Sequence, residues 1–136
     1  MEEAEVLATS LTQQLPSHPF GWKVLGAVQK QAGRLSESLS SAQIAIKLSP
    51  QDSQLHNNLG NTLQELGRLH EAEASLRQAI VLKPDFAEAH SNLGNTLQGL
   101  GRLDEAEASH RQAIALKPDF AEAHSNLGNT LQELGR

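Results

Sequence analysis

The chain has 136 residues and a net charge of −5, and its apolar content of 38% includes only three Phe, one Trp and no Tyr. Such a composition favours helices that pack closely through small side chains, and it is poor in the residues that favour strands. The acidic charge and the scattered Lys and Arg side chains argue against a basic nucleic-acid-binding face. The absence of cysteine excludes disulfides, thiolate metal sites and a cysteine nucleophile.

No apolar run approaches the ~18 residues of a membrane span, and the first residues do not resemble a signal peptide. We therefore expect a cytoplasmic protein with no membrane partner.

The predicted elements follow one another at a fixed period of 34 residues. Residues 53–86 match residues 87–120 at 26 of 34 positions, and residues 121–136 match the first sixteen of that unit at 15. A period in this size range indicates stacked structural repeats. In chain order we predict the second helix of an incomplete unit (1–18), a divergent full unit (19–52), two full units (53–86 and 87–120) and the first helix of an incomplete unit (121–136).

Each predicted unit carries two turn signals in addition to its apolar helical pattern. The first is a Gly-Arg pair, which predicts a left-handed helix C-terminus, and the second is a proline, which predicts the end of the second helix. We also predict that Asp85 and Asp119 are N-caps, with Glu88 and Glu122 completing capping boxes. The fold class is therefore all-α: antiparallel helix pairs stacked into a solenoid of about seven helices. The turn residues are Gly33, Gly67, Gly101 and Gly135, and Pro16, Pro50, Pro84 and Pro118.

Small and apolar residues recur at the same positions of each unit. The repeating sets are Trp22, Leu25, Gly26, Ala42, Ala45 and Pro50; Leu59, Gly60, Ala72, Ala79 and Pro84; and Leu93, Gly94, Ala106, Ala113 and Pro118. This pattern resembles the tetratricopeptide repeat over the whole chain. The resemblance implies a right-handed superhelix that binds proteins and lacks catalytic activity of its own.

The repeat sequence is also similar to the repeats that precede the catalytic domain in O-linked N-acetylglucosamine transferases and their SPINDLY-type bacterial relatives. The stretch from Ala87 to Phe120 carries this likeness, and the opening HPFGWKVLGAVQKQAGRL resembles the first repeats of such bacterial proteins. The chain itself contains no glycosyltransferase domain.

Asparagine recurs in mid-helix at two positions of the unit, although asparagine is not favoured there by helix propensity. The two sets are Asn58, Asn92 and Asn126, and one turn later Asn61, Asn95 and Asn129. An amide can both donate to and accept from an extended peptide backbone, so we predict that these residues bind a peptide without reading its sequence. In the transferases that the repeats resemble, an inner row of asparagines holds the acceptor polypeptide, and the resemblance implies that role for the first set. Val24 and Ala27 replace asparagine in the first full unit, which we place outside the row. The alternative is a solvated inner face with no ligand.

Histidines and acidic residues also recur, but their spacing indicates structure rather than chemistry. A full period separates His56, His90 and His124, so we predict helix packing and no shared metal ion. We expect His70 and His110 to be on the surface or partly packed. The acidic residues that could suggest acid–base catalysis recur on the outer helices, where Arg77 and Arg111 follow Glu73 and Glu107 by four residues, which predicts ordinary helix-surface pairs. These residues are Glu71, Glu73, Glu105 and Glu107. We predict no catalytic residue, metal or cofactor.

The length equals four periods, and the first and last segments are complementary halves of one unit. We therefore predict that the last helix of one molecule can complete a unit with the first helix of another, in an open head-to-tail association. The apolar residues available for this contact are Val6, Leu7, Leu11, Leu127 and Leu131. The alternative is a trimmed array whose last helix is solvated.

Three functional hypotheses remain open at this point. The chain could be a general module that binds an extended protein segment in its concave groove. It could be the substrate-recognition arm of a protein glycosyltransferase whose catalytic domain is not in this sequence. It could also be a trimmed or engineered scaffold that self-associates.

Overall fold

The computed structural model describes residues 2–136, except for the side chain of Glu2; residue 1, which the first predicted segment includes, lies outside the described residues. Within that range the chain forms eight α-helices and no strand, one helix more than the approximate count from the sequence. The divergent first full unit forms two helices like the others, so each half-unit of residues 2–136 is helical. The helices are α1 (Glu2–Gln14), α2 (Pro19–Gln31), α3 (Leu35–Leu48), α4 (Ser53–Glu65), α5 (Leu69–Leu82), α6 (Ala87–Gly99), α7 (Leu103–Leu116) and α8 (Ala121–Glu133).

The helices pack as antiparallel neighbours in chain order, which confirms the predicted solenoid. The most extensive contacts join α2 to α3, α4 to α5 and α6 to α7, and each pair also packs against the next helix along the chain. One apolar cluster links α3, α4 and α5 through Leu39, Leu63 and Ala72, and another links α5 and α6 through Leu76 and Leu93. Each cluster therefore spans a unit boundary, so no helix pair forms a separate core. No helix of residues 2–136 has the length and hydropathy needed to cross a membrane.

Helix pairs approach closely because a glycine of the first helix faces a side chain of the second. A Cβ atom on Gly60 would lie 2.5 Å from Leu76 Cγ, and one on Gly94 would lie 2.5 Å from His110 Cε1. Real Cβ atoms do not approach other atoms so closely, so alanine at either position would force the second helix or its side chain to move. The glycine thus sets the distance between the helices in the units 53–86 and 87–120, whereas a Cβ atom on Gly26 would lie 3.5 Å from Ser41 Cβ, an ordinary contact.

The turn inside each unit is the predicted glycine C-cap. The four turn glycines have φ between +76° and +80°, a region that side-chain-bearing residues avoid. In the first such turn the Gly33 amide donates to Lys30 O at 3.0 Å and the Arg34 amide donates to Gln29 O at 2.9 Å, which is the Schellman pattern. The same bonds recur after α4, α6 and α8, so the chain leaves every first helix in the same direction.

A second recurring geometry closes the turn between units. Trp22 Nε1 donates to Pro16 O at 3.0 Å, and His56 Nε2 lies 2.9 Å from Pro50 O. Equivalent bonds, at 3.0 and 2.8 Å, join His90 to Pro84 and His124 to Pro118. A carbonyl oxygen only accepts, so these imidazoles donate through Nε2, as the indole does. In each later unit a histidine therefore makes the hydrogen bond that Trp22 makes in the first full unit.

The N-cap prediction was wrong. Phe86 and Phe120 occupy the N-cap positions of α6 and α8 and cannot cap with their side chains. Asp85 and Asp119 stand one residue too early for their carboxylates to meet the first helical N–H groups. The equivalent position of α4 is Asp52, whose Oδ1 accepts from the Gln54 and Leu55 amides at 3.0 and 3.2 Å. Glu88, predicted to complete a capping box, instead lies 3.5 Å from Lys117.

The expectation that His110 is on the surface or partly packed was also wrong. Its side chain is fully buried between α6 and α7, at the position that Leu76 occupies one unit earlier. Neither ring nitrogen has a hydrogen-bond partner within the described part of the chain. Burial lowers the pKa of His110 below its usual value, because the charged imidazolium would lose its hydration. His70, in contrast, is exposed.

We predict that His110→Leu stabilises the fold, since leucine fills the equivalent space in the preceding unit and leaves no unsatisfied nitrogen. The expected gain in unfolding free energy at neutral pH is about 1–3 kcal/mol. Because the folded-state pKa is lowered, the parent loses stability as the pH falls from about 6.5, the unfolded value, toward that lowered pKa. The gain from leucine should therefore grow on acidification.

Urea unfolding of the parent and the His110→Leu variant at neutral and mildly acidic pH tests this. The matched control is Leu76→His, which places the same imidazole in the preceding unit and should destabilise it. If the stability of the parent and of His110→Leu depended equally on pH, the lowered pKa assigned to the buried His110 would be contradicted.

Candidate functional site

The first helices of the units, which we call the inner helices, are α2, α4, α6 and α8, and the last three form a continuous row. Inner helix α4 contacts α6 directly, and α6 contacts α8, although a whole outer helix separates each pair in sequence. Within residues 2–136, no contact of similar extent joins successive outer helices (α1, α3, α5 and α7). An array whose inner helices touch and whose outer helices do not is curved, and the inner helices line its concave side. The asparagines predicted to bind a peptide all belong to this row.

A cavity of about 400 Å³ lies between α2 and α4. Asn58 lines it, together with Trp22 and Ala27 of α2. Ala27 stands where later units have Asn61 and Asn95, and its short side chain helps to leave this space open. Although the sequence placed the first full unit outside the asparagine row, α2 forms one wall of the cavity beside Asn58.

Two lysines of α2 make this end of the row basic, but each has an acidic neighbour on or beside α4. Lys23 Nζ lies 3.2 Å from Asp52 Oδ2, and Lys30 Nζ lies 3.9 Å from Glu65 Oε1. Burial lowers the pKa of Lys30, and the nearby Glu65 carboxylate partly offsets this effect. The two pairs hold α2 against α4 and leave the cavity close to neutral overall.

One of the predicted binding asparagines is already engaged within the protein. Asn92 Nδ2 donates to Asn57 Oδ1 at 2.9 Å, across the contact between α6 and α4. Asn57 was not predicted as a site residue, because Lys23 and Ser91 occupy its position in the neighbouring units and it therefore does not belong to a repeating series. Further along the row, Thr96 Oγ1 donates to Gln64 at 3.2 Å and Thr130 Oγ1 donates to Gln98 at 2.9 Å. Much of the inner polar surface thus fastens one inner helix to the next.

The equivalent pair one unit later is not formed. Ser91 replaces Asn57 and faces the position of Asn126, which corresponds to Asn92. Ser91 Oγ and Asn126 Nδ2 are both buried and have no hydrogen-bond partner within residues 2–136. A serine side chain is too short to reproduce the amide–amide bond, so this hydrogen bond is absent from the contact between α6 and α8.

The second asparagine set is the more available one. Asn61 and Asn95 are half-buried on the inner helices, and Asn129 is exposed. Among the residues described, no hydrogen bond joins these three amides to another side chain. Their donors and acceptors are therefore free to meet a ligand.

The acidic residues of the outer helices form the predicted surface pairs. Glu73 accepts from Arg77 at 2.9 Å and also from Arg102 of the next unit at 2.8 Å. Burial acts to raise the pKa of Glu73, but the hydrogen bonds from the two arginines outweigh it and the pKa is lowered. Glu107 is bound in the same way by Arg111 and Arg136. Such carboxylates remain ionised, and their ion pairs join successive units. Residues 3–136 hold no group of three or more acidic or histidine side chains that could bind a metal ion.

Sequence comparison places the repeat in a known family. The profile described as TPR repeat matches residues 62–101 and 99–135, and a second profile, Tetratricopeptide repeat, matches residues 42–74. The matches to the first profile alone span more than half of the chain. The chain belongs to the tetratricopeptide repeat family. No curated protein matches its sequence significantly.

Solved TPR structures share this fold. The first TPR of Spaghetti (RPAP3), bound to HSP90 peptide SRMEEVD, is 22% identical over 87% of this chain and 94% of its own, with a TM-score of 0.83. The MamA protein is 21% identical over 97% of this chain and 72% of its own, with a TM-score of 0.88. TTC0263, a thermophilic TPR protein of Thermus thermophilus, is 29% identical over 95% of this chain and 72% of its own, with a TM-score of 0.80. None of these matches bears on the narrower resemblance to transferase repeats, which stays a prediction.

The residues predicted for end-to-end contact lie in different surroundings within the TPR array. Val6 and Leu7 are exposed on α1. Leu11 instead packs inside the array, where its Cβ atom would lie 3.0 Å from a Cβ atom on Gly21 of α2. Leu127 and Leu131 are half-buried on α8. The first two and the last two are therefore available to a partner, whereas Leu11 mainly holds α1 in place.

We predict that Ser91→Asn strengthens the contact between α6 and α8 by giving Asn126 the partner that Asn92 has. The expected gain is about 0.5–1.5 kcal/mol, the usual net value of one hydrogen bond. Urea unfolding and slower amide hydrogen exchange in α8 would report it. The matched control is Asn57→Ser, which removes the amide pair from the contact between α4 and α6 and should cost a similar amount. Faster exchange in α8 of the Ser91→Asn variant would refute the equivalence of the two contacts.

Proposed function

We propose that this TPR array is a non-catalytic module that binds an extended protein segment along its inner helices. The observation that carries the proposal is the set of uncommitted amides of Asn61, Asn95 and Asn129, at one-unit intervals on the concave side. An extended backbone presents N–H and C=O groups along its length, and an amide side chain can satisfy either. In this proposal Asn58 also contacts the segment, from the cavity between α2 and α4.

The proposal assigns the two asparagine sets different roles. Asn61, Asn95 and Asn129 contact the ligand directly. Asn92 is held by Asn57 through one of its two amide N–H groups, which fixes its orientation, while the Nδ2 of Asn126 is turned into the protein. Groove binding therefore depends more on the second set than on the first.

Both the geometry and the family support a role in protein interaction. The similar RPAP3 domain is described as bound to an HSP90 peptide, SRMEEVD. That description concerns a protein only 22% identical to this one, so it supports the class of partner and not its identity. We further propose that residues 19–52, 53–86 and 87–120 act as the recognition units, and that the ends 1–18 and 121–136 flank them. A cytoplasmic location stays a prediction.

A second candidate function is the substrate-recognition arm of a protein O-linked N-acetylglucosamine-type transferase. The observation that favours it is the recurrence of Asn58, Asn92 and Asn126 at the full period, in repeat text similar to that of such enzymes. An arm of this kind would hold the backbone of a Ser- or Thr-bearing acceptor, so the nature of the peptides bound separates the two candidates.

We predict that the triple variant Asn61→Ala, Asn95→Ala, Asn129→Ala loses at least about tenfold in affinity for extended peptides, because each substitution removes one backbone hydrogen bond. The measurement is fluorescence anisotropy with labelled unstructured peptides of unrelated sequence, among them SRMEEVD and peptides with and without Ser or Thr. A matched double variant, Gln78→Ala with Gln112→Ala, removes exposed amides from the outer helices and should bind as the parent does.

The outcomes separate the hypotheses. Binding of varied peptides that the triple variant loses supports the general module. Binding restricted to Ser- or Thr-bearing peptides favours the transferase arm. Absence of binding by the parent, or undiminished binding by the triple variant, would overturn the proposed groove.

A further inference from the structure

The cavity between α2 and α4 adjoins a position of α3 where the later outer helices carry a large side chain. Ala42 lines the cavity, and it corresponds to Leu76 in α5 and to His110 in α7. Both of those side chains are completely buried, and each lies against the glycine of its own inner helix. No such side chain presses on Gly26, where an added Cβ atom would meet Ser41 Cβ at an ordinary 3.5 Å. The first full unit therefore leaves room for a group supplied from outside the chain.

The two inner helices that border the cavity are also joined less tightly than the later ones. Asn57 Oδ1 and Gln64 Oε1 of α4 each accept a hydrogen bond from α6. Lys23 and Lys30 occupy the corresponding positions of α2, and an ammonium group has no acceptor. Neither bond can therefore form between α2 and α4, and within residues 2–136 no contact as extensive as that of α4 with α6 joins them. The cavity is open on this side, where the exposed Ala27 lines it.

The lining of the cavity favours a neutral, apolar guest. Its walls include the indole of Trp22 and the side chains of Ala42 and Leu55. Lys23 and Lys30 at its edge each have an acidic partner already, so a charged guest would lose its hydration without gaining a free counter-charge. An aliphatic group has no hydrogen bond to lose there, and its apolar surface leaves water. The volume of about 400 Å³ is within the ~300–1,000 Å³ range of ligand pockets.

We propose that the cavity between α2 and α4 is a specificity pocket that receives one aliphatic side chain, of the size of leucine, from the bound segment. The inference rests on the proposed function, since it adds selection of one side chain to backbone binding by the amides. Leucine is the expected size because Leu76 fills the corresponding place in the next unit. Asn58, which also lines the cavity, is placed to hold the backbone beside the inserted side chain.

Fluorescence anisotropy with labelled host peptides of Gly and Gln tests the pocket, each peptide carrying alanine, leucine or glutamate as its one central residue. Because the host is otherwise uniform, the peptide can shift along the groove until the leucine enters the cavity. The parent should bind the leucine peptide at least about tenfold more tightly than the alanine peptide. The glutamate peptide should bind no more tightly than the alanine peptide. Equal affinity for leucine and alanine, or a preference for glutamate, would overturn the pocket.

Two variants fill the pocket from different walls. Ala42→Leu introduces the side chain that Leu76 supplies one unit later, and Ala27→Leu adds the same group from an exposed position of α2, where it should not disturb the fold. Each should lower the ratio of leucine to alanine affinity at least about threefold. The matched control is Ala74→Leu, at an exposed position of α5 outside the cavity, which should keep the parent ratio. Circular dichroism and urea midpoints identify the folded variants, and an unchanged ratio in folded Ala27→Leu would contradict the pocket.

A further comparison separates the pocket from the groove. The leucine and alanine peptides present the same backbone, so the triple variant Asn61→Ala, Asn95→Ala, Asn129→Ala should weaken both and keep their ratio. If that variant binds as the parent does, the amide groove is overturned, while a leucine preference that Ala27→Leu reduces still supports the pocket. Absence of binding of every peptide by the parent would overturn both. The emission of Trp22 should shift to shorter wavelength with the leucine peptide alone, because the guest displaces water from the indole.

Discussion

The close approach of the two helices within a unit is the constraint on which the rest of this structure depends. It requires a residue without a side chain on the inner helix, and Gly60 and Gly94 meet Leu76 and His110 at van der Waals limits. Apolar clusters then bridge successive units. Since every unit has a face that only its neighbour can bury, stability depends on the interfaces between units as much as on the units themselves.

The sequence predicted the fold well because its period repeats the residues that determine helix ends and helix spacing. The turn glycines and prolines mark local backbone events, which short-range sequence rules describe. His110 and Asn57 were misjudged or missed because their roles depend on residues far away in the chain. Burial of His110 follows from the position of Gly94, and the role of Asn57 follows from a hydrogen bond to Asn92, in the next unit. The N-cap prediction failed for a different reason. Asp85 was predicted to cap α6, but the N-cap residue is Phe86, one position later.

The units are less alike in their polar contacts than in their apolar ones. Between successive inner helices the same position holds Lys23, Asn57 and then Ser91, which gives an ion pair, an amide pair and an unsatisfied contact. The outer helices are also uneven, because Leu39 stands where Glu5 and Glu73 accept an arginine of the following unit. Nearly identical repeat sequences therefore produce interfaces with different polar contacts.

The indole of Trp22 is tied to the carbonyl of Pro16, whereas histidine makes this bond in every later unit. As the single tryptophan of the chain, it makes the protein's intrinsic fluorescence a local optical probe. Its emission reports the turn between α1 and α2 and the cavity between α2 and α4, while circular dichroism reports all helices together. If the array melts one segment at a time, the two signals will separate, and the order of their transitions will reveal from which end the solenoid unravels.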